Sequence, residues 1–271
     1  MPPSVLLRPF QATYGASWLY PIKGIFYFLR HPFMYPLLRA RLLPVFLLSI
    51  FVYVNLFLFT YLPQVAFLAI FHGRAAWFNA TVLVLGEGAA IVGLLFEAFL
   101  CDETQVDIFD TVLVAKGFED LVSTTRPVDP DQADPVKALG KPTVSSVYAP
   151  FSFRQIFEFI IFLPLNLIPY VGVPVFLLLT GYRAGPFHHW RLFKLRGYDK
   201  KQRNDFIKRR QLKYTWFGTI GLILQLIPIF QMFFLLTTAA GSALWAAQLE
   251  EERSLQDAAE SQGPDYTDDP V

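Results

Sequence analysis

Cysteine is almost missing from this chain. Cys101 stands alone, so no intrachain disulfide can form and the redox compartment is left open. Charge is scarce too: 17% of the residues are charged against 54% hydrophobic and 17% aromatic, and residues 42–71, 159–182 and 214–248 carry no charge at all. A soluble domain of 271 residues would be richer in charge and would not hold uncharged runs of this length, so a polytopic membrane protein is implied. Acids are missing from residues 1–41, which contain Arg8, Lys23, Arg30, Arg39 and Arg41. Since the first apolar run begins only after this basic stretch, no removable signal peptide is expected.

The charges that are present are sharply segregated. Residues 183–213 hold eleven Lys or Arg against Asp199 and Asp205, whereas the tail from Leu249 holds eight acids and one base, Arg253. The basic residues of 1–41 are interleaved with Phe10, Tyr14, Trp18, Tyr20, Phe26, Tyr27, Phe28, Phe33 and Tyr35. Cations and rings together favour the headgroup layer, so one or two short interfacial helices broken at Pro21, Pro32 and Pro36 are expected. Residues 42–62 then form a first transmembrane span, Pro63 ends it, a short interfacial piece follows, and His72-Gly73-Arg74 is the turn. A second span covers residues 75–100 and contains Glu87 near its centre and Glu97 near its end. A carboxylate at that depth costs several kcal/mol, so Glu87 is expected to face the protein interior, find a donor or stay protonated. The small residues around it allow another helix to approach closely.

Two segments are near copies: Leu165-Asn166-Leu167-Ile168-Pro169 and Leu224-Gln225-Leu226-Ile227-Pro228 each place a proline in an apolar run with an amide three residues before it. Proline removes a helical hydrogen bond and clashes with the preceding turn, so both runs are expected to be broken helices. Lys and Arg in short loops stay cytoplasmic. A single crossing by residues 153–182 would put the basic connector 183–213 outside, against the strongest charge signal in the chain. Re-entrant hairpins with apices near Pro169 and Pro228 remove the conflict. Backbone broken at membrane depth must be shielded by protein, which brings Glu87, Asn166 and Gln225 toward one buried polar locus.

Glu103, Asp107 and Asp110 fall at helical spacing on an amphipathic helix over residues 101–120, and a solvated acidic face is the expectation. With His188 and His189 these acids are the weak candidates for metal ligation. No metal or other cofactor is expected. Residues 121–152 read as a flexible loop. Lys200, Lys201, Arg203, Lys208, Arg209, Arg210 and Lys213 form a basic cluster beside a buried segment, which favours anionic lipid headgroups over nucleic acid. Ala239, Ala243 and Ala247 at a spacing of four indicate a tightly packed helix pair. The acidic tail, residues 251–271, is expected to be disordered.

The expected fold is therefore all-α and membrane-integral: two transmembrane spans, two proline-broken helical hairpin segments that are re-entrant or short spans, and interfacial amphipathic helices. Its parts are residues 1–41 at the interface, a helical membrane domain over 42–250 with cytoplasmic loops 101–152 and 183–213, and the tail 251–271.

Leu85-Gly86-Glu87-Gly88-Ala89 with Phe96-Glu97-Ala98 and Phe109-Asp110, the run from Gly181-Tyr182-Arg183-Ala184-Gly185 to His189-Trp190-Arg191, and Gly241-Ser242-Ala243-Leu244-Trp245-Ala246 resemble the fungal lipid-droplet and outer-spore-wall membrane proteins. Those are distantly similar to the etoposide-induced-protein and CysZ-like superfamily, and the resemblance covers roughly residues 42–250. It implies an all-helical protein with hairpin-like segments in endoplasmic reticulum or lipid-droplet membranes. For the fungal branch it implies spore-wall assembly, and for the bacterial branch sulfate uptake. The leading functional expectation is a non-enzymatic membrane protein handling lipid or spore-wall precursors, with both termini cytoplasmic. Its partners would be membrane lipids with anionic headgroups and, optionally, further copies of the chain. Two alternatives stay open: an intramembrane enzyme of the terpenoid or lipid cyclase or isomerase type, using Glu87 or Glu97 as general acid, and a small-anion transporter.

Overall fold

The computed structural model describes residues 16–99, 103–140, 171–227 and 230–261. Within them every element is helical, and the only β pairing is an isolated bridge between Val128 and Leu139. A short 3-10 turn leads into α1 (Tyr20–Arg30); α2 (Tyr35–Phe59), α3 (Tyr61–His72) and α4 (Ala76–Phe99) follow. Then come α5 (Glu103–Ala115) and the short α6 (Glu119–Ser123) and α7 (Pro135–Ala138). After the gap are α8 (Gly172–Ala184), α9 (Trp190–Leu195), α10 (Lys200–Arg209), α11 (Gln211–Gln225) and α12 (Gln231–Ser261). Two stretches, Tyr61–Ala89 and Met232–Ala258, are long and apolar enough to cross a membrane by length and composition.

Prolines set the breaks. Pro63 offers no N–H to the carbonyl of Phe59 and its ring crowds that turn, so α2 stops at Phe59 and α3 restarts one residue later. The chain bends there without unwinding, because Thr60 N–H still reaches Leu56 O at 2.8 Å and Gln64 N–H reaches Thr60 O at 3.0 Å. Pro21 and Pro36, expected to break helices, instead occupy the first turns of α1 and α2, where a missing N–H costs nothing. At Gly73 the backbone takes a φ of +53°, which an L side chain rarely adopts, and the chain reverses. Thus Gln64 meets Glu87 well along the returning helix, with Nε2 2.9 Å from both carboxyl oxygens, while the Tyr61 ring lies 6.1 Å from that of Trp77 and its hydroxyl 3.2 Å from Thr81 Oγ1. Tyr61–Ala89 is therefore two antiparallel helices, and the long returning arm is α4.

Helical spacing gives α2, α3 and α4 one inner face each. Ser49, Val52 and Tyr53 of α2, Val65, Leu68 and His72 of α3, and Ala76, Ala80 and Val84 of α4 are buried. Leu43, Leu47, Phe51, Val54 and Leu58 on α2, Phe67, Ile70 and Phe71 on α3, and Trp77 and Phe78 on α4 point outward and are exposed. Apolar helices stand where the spans 42–62 and 75–100 are expected, but the stretches long and apolar enough to cross are Tyr61–Ala89 and Met232–Ala258, and the apolar part of α2, Phe46–Phe59, is shorter.

The second half is organised around α12. Thr237, Thr238, Ala239, Ala240, Gly241, Ser242 and Ala243 are all buried, and their small size lets α1, α5 and α11 close around one helix. The approach is closest at glycines. A Cβ on Gly24 of α1 would stand 2.1 Å from Thr237 O, and one on Gly241 would stand 2.3 Å from Tyr20 O. α8 and α11 meet in the same manner, since a Cβ on Gly218 would stand 2.4 Å from Gly181 O. The spacing of Ala239, Ala243 and Ala247 thus finds its packing partners within the chain.

Several expectations are corrected. One face of the basic-aromatic segment is core, because Tyr20, Pro21, Gly24 and Phe28 pack on α12 while Trp18, Phe26 and Leu29 stay exposed. α5 does not expose an acidic stripe: Val106, Ile108, Phe109, Asp110, Thr111, Val112 and Leu113 are all buried. Residues 121–140 are folded by α6, α7 and the Val128–Leu139 bridge rather than loose. The acidic tail is helical to Ser261, where Glu, Leu, Gln and Ala sustain the helix. α11 ends at Gln225 and α12 begins at Gln231, which puts a break where Pro228 demands one. Pro169 and Pro228 themselves lie outside the described residues.

Substituting Gly24 or Gly218 with Ala should cost about 1–3 kcal/mol through overpacking and lower the unfolding temperature in detergent. Gly86→Ala is the control: its Cβ would meet only Leu226 Cδ2, at 4.0 Å, so it should be tolerated.

Candidate functional site

Glu87 sits midway along α4, half-buried on the inner face of the hairpin. Its partner is Gln64 of α3, whose Nε2 lies 2.9 Å from both carboxyl oxygens. The expected locus of Glu87, Asn166 and Gln225 falls partly on a residue outside the described ones, Asn166. Gln225 is half-buried at the end of α11, and the hydrogen bonds of Glu87 run to Gln64. The side chain of Glu97 lies outside the described residues as well. Leu226, just past α11, stands against Gly86. Gln64 was passed over because an amide in an apolar run draws less notice than a carboxylate. Only the fold-back at Gly73 brings it to Glu87.

The second polar centre is an ion cluster. Arg191 of α9 grips Asp110 of α5 with two parallel bonds, Nε to Oδ1 at 2.9 Å and an Nη to Oδ2 at 2.7 Å, and the same Nη donates to Thr125 Oγ1 at 2.8 Å. Arg126 closes the cluster, reaching Asp107 Oδ1 at 2.7 Å, Asp110 Oδ2 at 3.2 Å and Gly140 O at 2.7 Å. Asp110 is 0% and Arg191 2% exposed. Desolvation pushes the Asp110 carboxyl up from its ordinary value, and the guanidiniums of Arg191 and Arg126 pull it back down. Because an arginine stays charged, the bidentate geometry requires a carboxylate opposite it. Asp110 is therefore committed to arginine, and Asp107 pairs with Arg126 while staying partly exposed. The side chain of Glu103 lies outside the described residues. Among the described residues no group of three His, Cys, Asp or Glu could hold a metal ion.

The adjacent histidines separate. His188 is half-buried, its ring edge-on to Phe217 at 5.2 Å. His189 is fully buried between Nδ1···Tyr214 Oη at 2.8 Å and Nε2···Ser242 O at 3.0 Å. A carbonyl only accepts, so Nε2 carries the proton and Nδ1 accepts from the tyrosine hydroxyl. Burial pushes His189 down to about 3, which keeps the imidazole neutral.

The basic connector is a built surface. A capping box starts α10: Gln202 N–H donates to Asp199 Oδ1 at 2.7 Å and Asp199 N–H to Gln202 Oε1 at 3.0 Å. Phe206 and Ile207 of α10 pack onto a cluster of Tyr20, Phe193, Tyr214, Phe217 and Trp245. Arg203 stacks over Trp190 at 4.6 Å and Arg210 over Phe206 at 4.1 Å. Lys200, Lys201, Lys208, Arg209 and Lys213 remain exposed on the outer side. The seven cations grouped by sequence thus divide into two that stack on rings and five that face outward. Arg196 anchors the connector to α12 through Glu250 at 2.5 Å.

Compared with known protein families, curated proteins and solved structures, the chain finds no match, so its chemistry is argued from its own residues.

Breaking the ion cluster should be severe. Asp110→Asn leaves Arg191 buried with a neutral partner and should cost about 3–5 kcal/mol, whereas pairing Asp110→Leu with Arg191→Met should cost much less, read by denaturation in detergent. Acid should also weaken the fold through His189. Its unfolded form takes up a proton near 6.5 and its folded form near 3, so the stabilisation is complete above about pH 6.5 and declines as the pH falls below it. Between pH 7 and 5 this amounts to roughly 2 kcal/mol. His189→Gln, which can both donate and accept, should flatten that part of the profile.

Proposed function

We propose that this chain is a multi-pass membrane protein of the endoplasmic reticulum or lipid-droplet surface that organises lipid or spore-wall precursor handling without catalysing it. The observation that carries the membrane reading is the outer face of α2–α4. Between the exposed Arg39 near the start of α2 and Arg74 at the turn it is largely apolar, and most of the hairpin's polar side chains spend their hydrogen bonds inside it. Asn55 donates to Phe51 O at 2.7 Å, Thr60 to Leu56 O at 2.7 Å, Thr81 to Trp77 O at 2.8 Å and Tyr53 to Leu85 O at 3.3 Å. Hydrocarbon demands this arrangement, because it supplies no partner. The 24 residues of α4 span about 36 Å, enough for a core of about 30 Å.

The α11–α12 hairpin fits a shallower placement. α11 exposes Leu212, Trp216 and Ile223 in one stripe, but its 15 residues reach only about 22 Å before the break. The apolar stretch of α12, Met232–Ala258, is long enough to cross but is mostly buried against the fold, so it is the short α11 that favours a hairpin entering one leaflet and returning. The exposed cations of α10 lie at its base, where they would meet anionic headgroups on the cytoplasmic side, with both termini. The resemblance to lipid-droplet and spore-wall proteins supplies the compartment and the pathway. Catalysis by Glu87 has less support, because its carboxyl oxygens are taken up by Gln64. Anion transport has less support as well, since the buried Arg126 and Arg191 are neutralised by Asp107 and Asp110.

Full-length protein should stay with membranes through alkaline carbonate extraction, and release by carbonate would contradict the reading. Neutralising Lys200, Lys201, Lys208 and Arg209 to Gln should reduce co-purified anionic phospholipid, at roughly fivefold in affinity per charge. An unchanged lipid complement would remove the headgroup role.

A further inference from the structure

Two buried polar atoms of the α2–α4 hairpin, Gln64 Oε1 and His72 Nε2, have no hydrogen-bond partner, and the first belongs to the amide that pairs with Glu87. Gln64 Oε1 is buried and accepts no hydrogen bond, although Nε2 of the same amide bonds both oxygens of Glu87. A carboxylate is acceptor-only and can offer that oxygen nothing. A carboxylic acid can, because its O–H donates while its second oxygen still accepts from the amide. The neighbouring titratable groups are already engaged: Tyr53 of α2 donates to Leu85 O, and the Tyr61 hydroxyl is shared with Thr81. His72 and Arg74 sit at the hairpin turn, Glu97 lies farther along α4, and Leu226, which stands against the neighbouring Gly86, is apolar. No cation among the described residues pairs with Glu87, so none of them compensates a negative charge there.

We infer that Glu87 and Gln64 together form a proton-binding site, in which Glu87 is held as a neutral acid that donates to Gln64 Oε1 and accepts from Gln64 Nε2. A small rotation of the two side chains closes this acid–amide ring between α3 and α4. One proton is taken up from water and no other bond forms or breaks. The ring satisfies the orphaned oxygen and removes the charge from the hydrocarbon, where it is costly. This rests on the membrane reading of the hairpin, and it makes the pairing of α3 with α4 dependent on a proton.

Infrared difference spectra of full-length wild type against Glu87→Gln, in phosphatidylcholine vesicles at pH 7, test the site directly. Glu87→Gln keeps an amide able to pair with Gln64, so the variant should fold. The wild type should show the carbonyl stretch of a hydrogen-bonded neutral carboxylic acid that the variant lacks, and Gln64→Leu should move that band to the position of a free acid. If the variant instead loses only carboxylate bands, the proton site is overturned. Quenching of Trp77 by brominated lipid, taken as the difference from Trp77→Phe in the same samples, reports insertion separately. Absence of quenching sinks the membrane reading, and the infrared band still decides the proton site.

Discussion

The fork of Arg191 on Asp110 is the contact on which the arrangement of the second half depends. It joins two connectors far apart in the chain, the α5–α7 region and the basic run through α9 and α10, and both residues lie out of water. A buried pair of this kind adds little net stability against an apolar replacement, but it is very sensitive to loss of either partner. Its value is register. Arg126 on Asp107 and Asp110, Thr124 on Leu195 O, and Arg196 on Glu250 all sit in the same region. Connectors locked together cannot occupy opposite sides of a bilayer.

A different constraint governs the hairpin. On the proposed membrane reading no water satisfies polar atoms in the hairpin, and side chains in α2–α4 bond their own helix or the facing one. The carboxyl of Glu87 shows the limit of that solution, since an amide neighbour satisfies its oxygens only by stranding the amide's own. Tight packing around α12 solves the remaining problem, because glycines at positions 24, 181, 218 and 241 let backbones approach closely where large side chains would hold helices apart.

Much of this was legible in the chain. The uncharged runs announced apolar helices, Pro63 marked a break, and the turn at His72-Gly73-Arg74 was readable from a glycine between polar residues. Burial of an acid near position 87 and its need for a donor were also legible, but the identity of that donor was not. Gln64 reaches it only because Pro63 bends α2 into α3 and Gly73 reverses the chain. Asp110 misled for the opposite reason. Acids at helical spacing read as a wet face, and nothing local reveals two arginines arriving from positions 126 and 191. The pair of histidines misled likewise, because the Tyr214 and Ser242 that enclose His189 come from distant helices. The helical extension of α12 to Ser261 was underestimated because acidic composition was weighed above the helix-forming side chains that carry it.

The central claim is that both polar connectors lie on one side of the membrane, with the α3–α4 turn on the other. Single cysteines at Asp131, Lys201 and Arg74, each placed in a Cys101→Ser background and probed with a membrane-impermeant maleimide on sealed vesicles, test it most directly. Asp131→Cys and Lys201→Cys should label together from the cytoplasmic side and Arg74→Cys only after permeabilisation. Labelling of the first two from opposite sides would contradict the account.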